Sequence, residues 1–120
     1  MFDQKAAAKI NDRLRTSMAV SQIQIKFSSL VESAPNRANI VKAIQKFKTF
    51  DPQIDVTGEH KIGTVEVGGI KYLFTIKYLD DRYEYDREIG NRELSIMRLS
   101  EYRSTKTPTK LRELIAADGP

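Results

Sequence analysis

The chain has 120 residues, no cysteine and a net charge of +4, from 20 Lys and Arg against 16 Asp and Glu. One core can form at this length without staples, and the absent thiols exclude a disulfide framework and a thiolate zinc site. Hydrophobic residues at 40% and charged ones at 30% exclude a disordered polar chain. No apolar run approaches the ~20 residues of a membrane span, and Met1-Phe2-Asp3-Gln4-Lys5 lacks the apolar stretch of a secretory signal. A cytoplasmic protein with no membrane partner is the expectation.

Asp3 to Arg15 predicts a first helix. Ala6, Ala7, Ile10 and Leu14 recur at helical spacing and form an inward stripe. Asp3 suits the cap, and Lys5, Lys9 and Arg13 follow on another face. From Met18 to Phe27 the period changes. The alternation Ile23-Gln24-Ile25-Lys26-Phe27 predicts a half-buried strand. Leu30 and Val31, set between serines, predict a short buried turn.

A second helix is predicted from Pro35 to Phe50. Ser33 or Asn36 can cap it, and Ile40, Val41, Ile44, Phe47 and Phe50 supply its apolar face. Asp51-Pro52 ends it, because the residue before proline is pushed out of helical geometry. From Lys61 the period is two. Val65 and Val67 lead into a Gly68-Gly69 reversal, and the return strand places Ile70, Tyr72, Phe74, Ile76 and Tyr78 on one buried face.

Asp80-Asp81 turns the chain, and Tyr83-Glu84-Tyr85 is a candidate short strand before the polar loop Asp86 to Asn91. Glu93 to Tyr102 is the last predicted strand. Ser104 to Thr109 reads as a basic linker, and Leu111, Leu114 and Ile115 predict a short C-terminal helix ended by Gly119-Pro120. This order has no βαβ unit with a glycine-rich crossover. It fits an α+β fold: a small antiparallel sheet of three to five strands packed by two helices on one side, with a short C-terminal helix. Residues 1–102 would form one domain, followed by a linker and helix over 103–120.

Chemistry-bearing residues are sparse. Glu59-His60 is the one pair able to exchange protons near neutral pH, but neighbours on an extended chain point to opposite sides, so Glu59 is poorly placed to orient His60. Gly58, Glu59, His60 and Gly63 therefore read as a structural loop motif: the glycines permit turns, Glu59 bonds the loop and His60 bonds the hairpin. Asp51, Asp55 and Glu59, and Asp80-Asp81 with Asp86, read as surface-turn acids rather than metal ligands. No G-x-S-x-G or phosphate loop is present. No catalytic residue, metal or cofactor is expected.

Tyrosine and arginine are favoured interface anchors, which makes Tyr83, Tyr85, Arg82, Arg87, Tyr102 and Arg103 the candidate partner-binding residues. The same residues fit a single-strand platform in which basic side chains alternate with stacking rings.

Phe47 and Phe50, Gly58-Glu59-His60 with Gly63, Phe74-Thr75-Ile76-Lys77-Tyr78-Leu79-Asp80, and Leu94-Ser95-Ile96-Met97 with Tyr102 together resemble a family of small bacterial proteins classed as a domain of unknown function. The family's pattern is Phe-x-x-Phe at a helix end, an Asp-rich loop, Gly-Glu-His-x-aromatic-Gly, a hairpin, and a terminal strand. The resemblance covers about Ile10 to Tyr102. This chain departs from it at Ile54-Asp55-Val56, where Asn-Asp-Pro is usual, and at Thr75, where Trp is favoured.

Family members resemble passengers of mobile elements found near genes that counter host defences. The resemblance thus implies a non-enzymatic inhibitor of a bacterial defence complex, of the anti-CRISPR or anti-restriction type, acting by steric binding to a bacterial protein or protein–nucleic-acid complex. The basic excess supports the alternative of a small nucleic-acid-binding accessory protein.

Overall fold

The computed structural model describes residues 4–18, 23–79 and 92–118. In chain order they form α1 (Gln4–Ser17), β1 (Gln24–Phe27), α2 (Ser29–Glu32), α3 (Arg37–Lys46), β2 (Ile62–Val67), β3 (Ile70–Tyr78), β4 (Arg92–Arg98), a 3-10 turn (Leu99–Glu101) and α4 (Thr109–Ala117). The fold is α+β, with a four-stranded sheet in the order β1-β4-β3-β2.

The hairpin pattern holds. β2 and β3 pair antiparallel with Val67 opposite Ile70, and Gly68 and Gly69 both take positive φ (59° and 81°), the geometry of a two-residue reversal. β4 adds antiparallel to β3, with Ile96 opposite Phe74. The expectation of a wholly antiparallel sheet is corrected at the far edge, where β1 joins β4 in parallel, with Ile25 beside Leu94 and Phe27 beside Ile96. A parallel pair needs a long crossover, and the chain through α2, α3 and the hairpin supplies it.

The sheet is covered on both faces. On one, Tyr72, Phe74, Ile76, Leu94 and Ile96 pack with Ile10 and Leu14 of α1 and Ile40 and Ile44 of α3. On the other, Leu73, Leu99 and Leu111 form a second buried cluster, with Ile62, Met97, Tyr102 and Leu114 packed against it. The C-terminal helix therefore lies across the sheet from α1 and α3, not beside them. Fully burying Leu111 contributes ~1.5–3 kcal/mol to holding α4 there.

Several predicted boundaries move. α3 stops at Lys46, because Phe47 turns extended (φ −64°, ψ 132°). That turn lets Phe47 meet Phe50 edge to face at 4.8 Å and Phe74 at 5.4 Å. The last strand stops at Arg98, where the Glu101 carboxylate accepts from Arg98 N (2.8 Å) and from Ser28 Oγ (2.9 Å) and curls the chain into the 3-10 turn. Leu30-Val31 forms the one-turn helix α2 rather than a bare turn. Ser28 Oγ accepts from Val31 N at its start, and only Val31 is buried. The Asp3 cap, the Tyr83-Glu84-Tyr85 strand and the Gly119-Pro120 stop lie outside the described residues. No helix among the described residues is long and apolar enough to cross a membrane.

Candidate functional site

Between α3 and β2, residues 51–61 form a loop whose two aspartates are spent on its own backbone. Asp51 Oδ1 accepts from Gln53 N (2.9 Å), and the Asp51 carbonyl accepts from Ile54 N and Asp55 N. Asp55 is buried. Its two carboxylate oxygens accept from His60 N (2.9 Å) and Lys61 N (3.3 Å). Asp51 and Asp55 are thus loop ties of the kind short acidic side chains make in turns. Among the described residues no group of three or more His, Asp or Glu is placed to hold a metal ion.

Glu59 and His60 leave this loop in different directions. Glu59 turns inward and is 5% exposed. Its Oε1 accepts from the Tyr78 hydroxyl at 2.6 Å, and Lys61 Nζ stands at 3.8 Å. The Tyr78 oxygen in turn accepts from Asn11 Nδ2 (3.1 Å), which also donates to the Glu59 carbonyl (2.9 Å). Arg92 Nε donates to Asn11 Oδ1 (2.9 Å), and its guanidinium lies over the Tyr78 ring. This polar chain joins α1, the loop, β3 and β4. Burial, then the bond to Glu59, pushes the Tyr78 hydroxyl well above its ordinary pKa, and burial pulls the Arg92 guanidinium below its own.

His60 turns outward to α1 rather than bonding the hairpin as expected. Its Nδ1 lies 2.9 and 3.0 Å from the two carboxylate oxygens of Asp12, and its ring stacks on Phe50 at 4.1 Å with planes 5° apart. The backbone takes φ +57° to reach this position, a strained conformation for a residue with a side chain. Asp12 is shared with Arg15, whose NH2 lies 3.1 Å away. Arg15 is 2% exposed, donates to the Ile44 carbonyl (2.7 Å) at the end of α3, and lies over the rings of Phe50 and Phe74. One cation thus closes the C-terminus of α3 and orients the carboxylate that holds His60.

Gly63 makes no turn, which corrects its expected role. It lies inside β2, where an added Cβ would come within 2.7–2.9 Å of the Phe74 and Phe47 rings. Of the six candidate partner-binding residues, Tyr83, Tyr85, Arg82 and Arg87 lie outside the described residues. Tyr102 lines a groove of about 240 Å³ with Ile54, Val56, Ile62, Ile76 and Pro108, and exposed Arg103 follows it. Val56 is 70% exposed at the mouth of this groove. A continuation of about 570 Å³ runs past Pro108 to Lys110, Arg112 and Glu113 on α4.

The profile of one protein family, described as "Protein of unknown function (DUF3768)", matches residues 19–101. That is well over half of the chain. The chain belongs to the DUF3768 family. No curated protein and no solved structure matches it.

The DUF3768 match takes in the loop, the hairpin and β4, and stops short of α1 and α4. Sequence reasoning found Glu59 and His60 but missed their partners Asn11, Asp12, Arg15, Tyr78 and Arg92. A signal for two of these was available. Asn11 and Arg15 fall on the same helical stripe as Ala7 and Leu14, where a polar residue must find a buried partner. Asp12 carries no such mark, because only the tertiary fold brings it to His60.

Proposed function

We propose that this DUF3768 protein is a non-enzymatic binding module, and that its partner surface centres on Val56 and the groove beside it. The observation that carries this reading is a large apolar side chain, 70% exposed, on a loop that is otherwise pinned by buried bonds. A loop so fixed presents Val56 in one place, and a preorganised contact loses little entropy on binding. The Gly58-Glu59-His60 motif is then the footing of the loop: Glu59 ties it to β3 and α1, His60 ties it to α1, and Val56 faces away beside the groove.

The partner class we favour is a bacterial defence complex, with inhibition by occupation of a surface meant for a subunit or for nucleic acid. The resemblance to mobile-element proteins supports that choice. The groove beside Val56 is lined mainly by apolar side chains, which suits an apolar side chain of a protein partner as its occupant.

The test is a pull-down of tagged protein from bacterial lysate, with and without nuclease, alongside the Val56→Asp variant. A protein partner that survives nuclease and is lost with Val56→Asp supports the proposal. Retention that vanishes with nuclease supports the nucleic-acid alternative, and a partner retained equally by the variant removes the groove from the site.

A further inference from the structure

We infer that the groove receives an acidic segment of its partner, with one apolar side chain of that segment seated between Val56 and Tyr102. The inference rests on the binding-module reading and adds the chemistry of the occupant. The groove's lining is mainly apolar, with Ile54, Val56, Ile62, Ile76 and Pro108 beside Tyr102, and it also takes in Thr57 and Thr75.

The rim is positive. Tyr102 and Pro108 both stand in the wall, and residues 103–107 join them in sequence. From residue 103 to 112 the chain carries Arg103, Lys106, Lys110 and Arg112 and no acid. Arg103, Lys106 and Arg112 are exposed, and Lys110 and Arg112 line the continuation.

The acids nearby do not offset this. Asp55 lines the groove, but it is buried and both its oxygens accept from backbone N–H groups. Glu113, at the outer end, is the exposed exception. Lys61 also lines the groove, and its ammonium lies 3.8 Å from Glu59 and over the Tyr78 ring. An apolar slot beside a predominantly basic rim complements a carboxylate-rich segment with an apolar anchor, and the charge selects among partners more than it adds affinity.

A nucleic-acid strand fits less well. A stacking platform needs several exposed rings, and among the described residues the groove wall offers Tyr102 alone.

The experiment selects a phage-displayed random dodecapeptide library on the full-length protein. Parallel selections use Val56→Asp and the double variant Lys110→Glu/Arg112→Glu, each checked for unchanged thermal unfolding. Anisotropy of a labelled oligothymidine strand is read beside them. The expected result is enrichment of peptides with Asp and Glu flanking a Leu, Ile or Phe. Their affinity should fall at least about tenfold with either variant and weaken with salt.

Enrichment of uncharged or basic apolar peptides, lost with Val56→Asp, would overturn the acidic preference while leaving the binding-module reading intact. No enrichment that depends on Val56 would overturn both. Oligothymidine binding that is reduced by the double variant and indifferent to Val56→Asp would overturn the inference in favour of nucleic acid.

Discussion

Replacing Tyr78 by Phe removes one oxygen atom from the centre of the polar chain and leaves the ring between Lys61 and Arg92 in place. The Glu59 carboxylate, 5% exposed, then loses its 2.6 Å donor, while Lys61 Nζ stands at 3.8 Å. Hydrogen bonds to charged groups contribute ~1.5–3 kcal/mol, and a buried acceptor left without its donor costs a similar amount. Asn11 Nδ2 loses one of its two acceptors but keeps the Glu59 carbonyl, which adds little.

The expected loss is therefore about 2–3 kcal/mol, read by urea unfolding with an unchanged m-value, or about 6–12 °C in Tm. Glu59→Gln in the same background closes a double-mutant cycle, with an expected coupling of ~1 kcal/mol or more. A loss below ~0.5 kcal/mol would refute the reasoning, since that is the range of surface substitutions away from buried features.

The same hydroxyl gives a pH prediction. Its folded pKa is raised, by burial first and by Glu59 second, so the folded state holds the proton more tightly than the unfolded one. The contribution is complete below the ordinary phenol pKa of ~10 and is lost as pH rises beyond it. Ultraviolet titration should show one tyrosine that ionises only with alkaline unfolding, and Tyr78→Phe should remove that step. Gly63→Ala should cost ~1–3 kcal/mol in chemical unfolding, because its methyl group meets the Phe74 and Phe47 rings at 2.7–2.9 Å. Leu111→Ala should cost ~2–4 kcal/mol and raise hydrogen exchange in α4, since Leu111 is fully buried against Leu73 and Leu99. His60→Gln should lower stability by ~1 kcal/mol, through loss of the Asp12 contact and the Phe50 stack. Calorimetry showing no change would undo the structural role assigned to His60.

Local rules made the hairpin legible. Alternation over Ile70 to Tyr78 and a double glycine admit one reading, and the structure has it. The second covered face was less visible. Leu73 and Leu99 look like ordinary residues of a mixed face until Leu111 arrives over them. The end of α3 misled for a physical reason: Phe47 and Phe50 keep helical spacing in sequence, yet packing against Phe74 and His60 releases them from the helix. The candidate loop was located by its residue types, while its fastening was not. Contacts from Asn11 to Arg92, or from Asp12 to His60, have no local signature because they depend on closure of the whole chain.

That closure has a consequence for the order of events in folding. Among the described residues β1 pairs with β4 alone, and Arg92 reaches Asn11 across 81 residues of chain. Loop-closure entropy makes such distant contacts late ones, whereas the β2–β3 hairpin can form from its own neighbours. As the protein is synthesised, β1 and the buried polar face of α1 must wait without their partners until β4 has been made. The hairpin is then the seed, and β4 is the piece whose arrival recruits the N-terminal segment and fixes the loop that carries Val56.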